Sequence, residues 1–287
     1  MSRPRGGACR HVQSDAVFKE SIAQLVPGNF VRRWFARKLR RYADVIESAD
    51  VRQARAKRVP TSLYRLAQRL NKVAPIRTVI DVGAHNGEFA EVSAVCFPGA
   101  AIHCFEPLPM CQPALETLAK RDPRVSVHPF ALGEVEGKMS MHQCDFESSS
   151  SLLQMQDGLR SLLPAGTRST VIQAEVRRLD SFQDLVEWPA FLKLDVQGYE
   201  LHVLRGAHRV LASTAAIQAE IIFEPFYEGQ ADFRSLINML ADAGFRFVEF
   251  LHVHRNAEGR LLYADGAFIA ERVLSSEYGK AGRRLAS

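Results

Sequence analysis

The chain has 287 residues, of which 47% are hydrophobic and 24% charged, so it is long enough for one sizeable α/β domain plus an extension. Its net charge of +5 is uneven, because residues 1–74 carry 17 Lys/Arg against 5 Asp/Glu, and the remainder carries 20 against 27. The sequence has no run of eighteen apolar residues, so no membrane span is predicted. Its basic start lacks the apolar core of a secretory signal. The five cysteines form no C-x-x-C pair, which predicts reduced thiols, a cytoplasmic protein and no metal site.

An amphipathic helix is predicted after Asn29, because apolar residues recur there every three or four positions. Basic residues fill the positions between them, and residues 29–60 are strongly basic. Such a helix fits an anionic membrane surface or a phosphate-bearing partner, which would place the protein peripherally on the inner face of the membrane. It also fits docking on the protein's own core with solvated charges, which we favour. A second helix is predicted after Thr61. We divide the chain into a basic helical N-terminal extension (1–74), a main domain (75–272) and a C-terminal tail (273–287).

Short apolar strands alternate with helical stretches from Ile76 onward, which predicts a mostly parallel sheet. Two final strands, Phe245–Val253 and Leu261–Ala270, flank a short turn and predict an antiparallel hairpin. The predicted fold class is α/β: a class I methyltransferase Rossmann-like sheet, mostly parallel with a C-terminal antiparallel hairpin, plus an N-terminal helical extension. The other strands are predicted at 77–82, 101–105, 125–130, 190–196 and 217–223, and the helices at 87–96, 110–120, 199–212 and 230–243.

The segment 131–189 is the irregular part of the main domain. Two extra strands are predicted in it, at 137–144 and 171–179. They flank the serine run FESSSSLL (146–153), which fits a flexible loop or a rim whose hydroxyls meet the substrate.

A glycine loop between the first strand and its helix is the strongest sign of a ligand site. Gly83 and Gly87 bracket this loop, and Asn86 is predicted to cap the helix. A strand, a glycine turn and a helix together point backbone N–H groups and a positive helix end at a ligand. Asp81 is a carboxylate in a buried strand, which requires a cation or hydrogen-bond donors nearby.

Glu106 follows the second strand about twenty residues further on, the distance at which an acidic residue binds ribose hydroxyls. The spacing Gly83-x-x-x-Gly87 lacks the third glycine of the dinucleotide fingerprint, so the close approach to a pyrophosphate is not provided for. A ligand with a ribose, a positive centre and no pyrophosphate fits this pattern, which predicts S-adenosylmethionine.

Charged residues also follow the fourth and fifth strands. Lys193 and Asp195 lie near the end of the fourth strand, where open α/β sheets bind ligands. Glu220 and Glu224 are expected on one face of the fifth strand by their even spacing. Carboxylates at such positions indicate function, and a structural salt bridge between Lys193 and Glu220 is the alternative. We select Asp195 as the group that activates an acceptor, with Glu224 and His85 in reserve.

Several sequence blocks, in their order and spacing over residues 76–272, resemble the FkbM-type S-adenosylmethionine-dependent methyltransferases. The block around Gln197 with its downstream LRGA is the most specific of them, although many members have Glu at that position. The blocks are DVGAHNGEFA (81–90), FEPLP (105–109), HPFALGE (128–134), SSSSLL (148–153), FLKLDVQGYELHVLRGA (191–207), EIIFEPFYEGQ (220–230) and ADGAFIAER (264–272).

This resemblance implies O-methylation of a hydroxyl on a sugar, glycan or small-molecule natural product. It places Glu106 on the ribose of S-adenosylmethionine and Phe130 with Ala131 beside the adenine. The implied contacts at the glycine loop are Asp81, Gly83, Ala84, His85 and Gly87. Two alternatives remain: an RNA or nucleotide methyltransferase, which only the basic extension supports, and a non-catalytic partner-binding protein that retains the fold. Nucleic acid is not the partner we expect.

Overall fold

The computed structural model describes residues 49–145, 147–163 and 167–276. The chain divides into two units, residues 1–56 and 57–287, and each is described by itself. The described helix of the first unit is α1 (Ala49–Ala56). The helix predicted after Asn29 lies outside the described residues and stays a prediction. Within the three described ranges, no helix is both long enough and apolar enough to cross a lipid bilayer.

Ten strands lie in the described part of the second unit. They are β1 (Thr78–Val82), β2 (Ala101–Phe105), β3 (Val125–His128), β4 (Ala131–Leu132), β5 (Gly137–Cys144), β6 (Ser169–Arg177), β7 (Ala190–Leu194), β8 (Thr214–Ile222), β9 (Phe245–Arg255) and β10 (Leu261–Ala270). Seven of them form the central sheet, in the order β3-β2-β1-β7-β8-β10-β9. The first five of that order are parallel, and β10 is antiparallel to both β8 and β9.

Helices connect and cover these strands. They are α2 (Thr61–Val73), α3 (Glu88–Cys96), α4 (Gln112–Arg121), α5 (Asp157–Arg160), α6 (Glu200–Arg205), α7 (His208–Ala212) and α8 (Phe233–Asp242). A single turn of 3₁₀ helix lies at Glu147–Ser149, and a longer 3₁₀ helix lies at Leu179–Leu185. Every residue of β1, β7 and β8 is buried, so both faces of the central sheet are covered. This arrangement confirms the predicted α/β class I methyltransferase architecture and its C-terminal antiparallel hairpin.

Several predicted elements have different bounds in the structure, and for two of them the contacts show the reason. The third strand ends at His128 rather than at residue 130, because Pro129 has no N–H to donate and the chain turns there, with Phe130 N bonded to His128 O at 2.9 Å. The helix predicted at 199–212 is two helices that break at Gly206. A Cβ at Gly206 would lie 2.1 Å from the carbonyl oxygen of Gly133. The absence of a Cβ at Gly206 therefore lets these two backbone segments pack against each other.

A second, three-stranded sheet in the order β4-β6-β5 was not foreseen as a separate layer, although the strands at 137–144 and 171–179 were predicted. Residues of β5 and β6 pack with Leu108 and Cys111, which precede α4. A further apolar cluster joins residues from Cys144 to Leu159 to the chain just after β8. The irregular segment thereby covers the carboxyl end of the central sheet.

Helix α2, which we assigned to the extension, contacts elements of the sheet domain. Ser62 Oγ donates to Leu251 O in β9 at 2.6 Å, and Asn71 Nδ2 donates to Cys96 O at the end of α3 at 3.0 Å. Its apolar residues, including Leu66 and Leu70, are buried. The domain boundary at residue 74 remains a prediction.

Candidate active site

The glycine loop lies at the carboxyl end of β1 and is held by the neighbouring strand. The backbone N–H groups of Gly83 and Ala84 both donate to Phe105 O, at 3.0 and 3.2 Å. Gly87, with φ of 87°, is the N-cap of α3, and no side chain caps this helix. The prediction that Asn86 caps it was therefore wrong. Because glycine has no side chain, the N-cap residue offers no side-chain acceptor to the first N–H groups of α3.

Glu106 follows β2 directly and is almost fully buried, with 4% of its surface exposed. Its Oε2 accepts from the His85 N–H at 2.9 Å, and its Oε1 accepts from the Leu108 N–H at 2.9 Å. Burial raises the pKa of Glu106, and the two backbone donors oppose this rise. Each carboxylate oxygen has two lone pairs, so each retains one acceptor position for a ligand.

Asp81, Lys193 and Asp195 form a chain of charges at the ends of β1 and β7. The register pairs Asp81 with Lys193, and Lys193 Nζ lies 3.3 Å from Asp81 Oδ1 and 3.3 Å from Asp195 Oδ2. Nζ also donates to Gly83 O at 2.9 Å. Lys193 is thus paired with Asp81 and Asp195 rather than with Glu220, the partner suggested by the sequence.

The charges of this chain determine its protonation. Burial alone would lower the pKa of Lys193, but Asp195 and Asp81 outweigh it and hold this pKa above its usual value. Burial raises the pKa of Asp81, which Lys193 opposes. Asp81 is fully buried, and neither of its carboxylate oxygens accepts a hydrogen bond from a described residue. The contact with Lys193 at 3.3 Å is therefore mainly an ion pair, and Asp81 keeps acceptor capacity.

Gly83 brings the glycine loop against the backbone of Asp195. It has φ of 75°, and a Cβ placed on it would lie 1.9 Å from Asp195 O. Only glycine permits both this conformation and this approach. The loop that follows β1 and the carboxylate that follows β7 are therefore fixed with respect to each other.

Further carboxyl groups lie beside Asp195. Burial, reinforced by Asp195, raises the pKa of Glu220 well above its usual value. Burial also raises the pKa of Glu200 to about 7 and, together with Asp195, that of Asp265 to about 6. Asp265 faces Glu220 across the antiparallel pair of β10 and β8. The carboxyl end of the sheet therefore gathers several carboxyl groups around Asp195, and the raised pKa values of Glu200, Glu220 and Asp265 favour their protonated forms.

Phe130 and Ala131 lie where β3 gives way to β4, and both are buried. The Phe130 ring stacks on Phe182 at 5.3 Å between centroids, and the Arg177 guanidinium lies 4.3 Å from its centroid. Phe105, at the end of β2, is 6.0 Å from the same ring. Phe130 is therefore a packed member of an aromatic cluster next to Glu106.

The reserve residues occupy different places. His85 has φ of 48° and holds Glu106 through its backbone. Glu224 lies two residues beyond the end of β8, so the expectation that it shares a strand face with Glu220 was wrong. Its side chain pairs with Arg260 Nε at 2.6 Å. The structure thus groups Asp81, Gly83 and Asp195 around Lys193 and joins Ala84 and His85 to the end of β2, while Glu224 is engaged elsewhere.

Three serines of the serine run, Ser149, Ser150 and Ser151, are buried. Ser150 Oγ accepts from Cys144 N at 2.9 Å, and Ser151 Oγ donates to Gln197 O at 2.8 Å. These two hydroxyls bind the protein's own backbone, so they are not presented to a substrate. The segment instead borders the turn that follows Asp195.

Sequence reasoning missed every partner of Asp195, including Lys193. Gln197 Nε2 donates to both Asp195 Oδ1 and Glu220 Oε2, each at 2.9 Å, and Glu200 Oε1 accepts from the Val196 and Gly198 N–H groups. The position of Glu200 just after a turn is a sequence signal for a carboxylate at a helix start. No local spacing signals the Gln197 contact with Glu220.

With this geometry established, comparison with known proteins decides the family. The sequence profile of the Methyltransferase FkbM domain matches residues 81–247, more than half of the chain. The chain belongs to the FkbM methyltransferase family. This FkbM methyltransferase therefore carries the matched domain from the end of β1 to the start of β9, and all of the predicted site residues lie within it.

One characterised relative is the 2-O-methyltransferase NoeI of Sinorhizobium fredii (strain NBRC 101917 / NGR234). It is 25% identical over 196 residues, which cover 64% of this chain and 79% of that protein.

Two solved structures resemble this FkbM methyltransferase. The methyltransferase FkbM of Methylobacillus flagellatus KT has 18% identity and a TM-score of 0.43, and the match covers 68% of this chain and 44% of that one. The chain thus spans less than half of that protein. The magnesium protoporphyrin IX methyltransferase ChlM of Synechocystis PCC 6803, solved with bound SAM, has 10% identity and a TM-score of 0.40, with 85% and 86% covered.

Proposed function

We propose that this chain transfers a methyl group from S-adenosylmethionine to a hydroxyl group of a saccharide or a small-molecule natural product. The observation that carries the proposal is Asp195. Its carboxylate is 37% exposed at the carboxyl end of β7, it is held by Lys193 and Gln197, and its backbone touches the glycine loop. An accessible and oriented carboxylate at this place suits proton removal from an acceptor.

The residues present fit S-adenosylmethionine. Glu106 keeps one acceptor position on each oxygen, which suits the two hydroxyls of a ribose. Asp81 has two buried oxygens that accept no hydrogen bond from the described residues, which suits a group bearing donors or a positive charge. These two residues would hold the cofactor, which when bound supplies a methyl group already activated by its sulfonium.

The chain's own residues would then act on the acceptor. Asp195 has lone pairs that neither Lys193 nor Gln197 occupies, so it can accept a hydrogen bond from an acceptor hydroxyl and take its proton as the oxygen is methylated. Lys193 stays protonated and keeps Asp195 Oδ2 in place. Orientation of the acceptor in a closed site can contribute about 7–11 kcal/mol in favourable cases, and the carboxylate adds about 10²–10⁴-fold.

A hydroxyl is the acceptor that most needs such a base, because its neutral oxygen is a poor nucleophile and loses a proton as it reacts. The relative NoeI is named a 2-O-methyltransferase, which supports an oxygen acceptor. Hydroxyl-bearing saccharides and natural products are therefore the first acceptors to examine.

Calorimetry with S-adenosylmethionine tests the cofactor, and radioactive methyl transfer to fractionated glycan and small-molecule extracts tests the acceptor. With an acceptor identified, Asp195→Asn should preserve cofactor affinity and lower kcat by about two orders of magnitude, because it keeps the shape and removes the basicity. Asp242→Asn, an exposed residue of α8, is the matched control.

Each part of the proposal has its own contrary result. A folded wild-type protein that binds no S-adenosylmethionine contradicts the cofactor. Methyl transfer to nitrogen alone contradicts the hydroxyl acceptor. A kcat of Asp195→Asn within a few-fold of wild type contradicts the role of Asp195.

A further inference from the structure

Gln197 is the centre of a hydrogen-bond cluster that joins Asp195 to the next strand. Its Nε2 donates to Asp195 Oδ1 at 2.9 Å and to Glu220 Oε2 at 2.9 Å. Its Oε1 lies 3.0 Å from the Tyr227 hydroxyl, which also lies 3.1 Å from Ser149 O. The two carboxyl groups orient the amide, because their oxygens accept from its nitrogen, and the amide oxygen then faces the Tyr227 hydroxyl.

The backbone of Gln197 is held in a conformation that a residue with a side chain rarely adopts. Its φ is 56°, in the left-handed region. The Ser151 hydroxyl binds its carbonyl at 2.8 Å, and the buried carboxyl of Glu200 binds the N–H groups on either side, of Val196 at 3.0 Å and of Gly198 at 3.2 Å. Such a conformation persists where the surroundings over-determine it, which is common at functional sites.

The amide solves an electrostatic problem at the site. Asp195 and Glu220 approach one Nε2 atom at hydrogen-bond distance, and two carboxylates so close would repel each other or share a proton. Lys193 Nζ lies 3.3 Å from the other oxygen of Asp195, Oδ2. A neutral amide donates to both carboxyl groups and does not titrate. The titratable groups that face this cluster are Asp81 from β1, Lys193 from β7, Glu200 from α6, Glu220 from β8, Tyr227 from the loop after β8, and Tyr263 and Asp265 from β10.

We propose that Gln197 is a positioning residue of the methyl-transfer site, whose amide clamps Asp195 to Glu220 and so aims the remaining lone pairs of Asp195 at the acceptor. The proposal rests on the proposed function, because it assigns Gln197 a role in orienting the base of that reaction. The clamp then requires a hydrogen-bond donor at position 197, and a side chain of the same length without a donor would not replace it.

Three variants separate a donor from a space-filling side chain. Gln197→Met keeps the length and removes the donor. Gln197→Glu keeps the shape and can donate only while its introduced carboxyl is protonated. Gln173→Glu is the control, because Gln173 is exposed in β6 and its amide contacts the Ser140 hydroxyl, which can donate to a carboxylate.

The first measurement needs no acceptor. Carboxyl-carbon NMR of protein labelled at glutamate should show the introduced carboxyl of Gln197→Glu titrating about two pH units or more above that of Gln173→Glu, because it meets two carboxyl groups in a buried cluster. Titration of both introduced carboxyls in the same pH range overturns the proposal, since the side chain at position 197 would not then meet Asp195 and Glu220.

The second measurement uses the acceptor. Gln197→Met should lower kcat roughly tenfold at every pH with S-adenosylmethionine affinity unchanged, because Asp195 loses one hydrogen bond to its charged form. Gln197→Glu should approach wild-type kcat at pH 6 and fall to the Gln197→Met value as its carboxyl ionises. A kcat of Gln197→Met within twofold of wild type, or a ratio of Gln197→Glu to wild type that is constant with pH, overturns the proposal.

Failure of the proposed function gives a different pattern. The wild-type protein would then bind no S-adenosylmethionine, while the NMR titration would still report the contacts of Gln197. If Gln197→Met does not fold, the rescue of Gln197→Glu at low pH still decides the question, since a side chain that only fills space does not respond to pH.

Discussion

Replacement of Glu106 by glutamine is the sharpest test of cofactor recognition. Replacement by alanine would leave the His85 and Leu108 N–H groups without their Glu106 acceptor. A loss of protein stability would then accompany any loss of cofactor affinity. Glutamine keeps the volume and one acceptor oxygen, but its NH₂ group must face a backbone donor on one side. The variant therefore removes the charge and one of the two ligand-facing acceptors.

The expected loss follows from the hydrogen bonds of the carboxylate. Hydrogen bonds to a charged group contribute about 1.5–3 kcal/mol and those to a neutral group about 0.5–1.5 kcal/mol. Two ribose hydroxyls bound by the carboxylate contribute about 3–6 kcal/mol and the one bond that the amide keeps about 0.5–1.5 kcal/mol, so the change removes about 2.5–4.5 kcal/mol. Because about 1.4 kcal/mol corresponds to a factor of ten, the Kd for S-adenosylmethionine should rise roughly 60- to 1,600-fold.

The assay is calorimetric titration with S-adenosylhomocysteine and with its 2′-deoxyribose analogue. Wild-type protein should bind the deoxy analogue more weakly than the parent compound, and Glu106→Gln should discriminate between them much less. Glu116→Gln, an exposed change in α4, should retain wild-type affinities. Equal discrimination by wild type and Glu106→Gln would refute the ribose assignment even if both affinities fell, because the lost contact would then not involve that hydroxyl.

Two further substitutions test the surroundings of the site. Asp265→Asn should raise the free energy of unfolding at pH 8 by about 3 kcal/mol, because the folded pKa of Asp265 is raised to about 6 and its ionisation above the unfolded pKa costs stability. Denaturation at several pH values should show this difference vanish below about pH 4. Asp242→Asn is the control, and a difference that does not depend on pH would contradict the reasoning. Gly83→Ala should destabilise the protein by roughly 2–5 kcal/mol in thermal unfolding, from the left-handed backbone and the contact with Asp195 O. Gly99→Ala, where a Cβ meets nothing within 4 Å, should be nearly neutral, and equal effects of the two changes would show that the close approach does not exist in solution.

Local patterns in the sequence predicted the elements of the main domain well. The β-branched run before Gly83 is β1, the alternation of strands and helices is the parallel sheet, and the final hairpin is antiparallel. These features depend on neighbours within a few residues, where side-chain period and turn chemistry act. Predicted element boundaries differ from the structure where tertiary contacts intervene. At Gly206, for example, the missing Cβ lets the backbone of Gly133 approach closely.

The sequence by itself determined which kinds of groups end the strands: Asp81 after an apolar run, Glu106 after the next strand, and Asp195 after the fourth. It could not determine their partners. Lys193 lies more than a hundred residues from Asp81, and only the register of β1 against β7 places the two side chains together. Gln197 reaches Glu220 because a left-handed turn redirects the chain, so its role is invisible to any rule of local spacing. The tertiary structure decides such pairs because parallel strands meet through long crossovers, and packing alone sets which residues face each other at their ends.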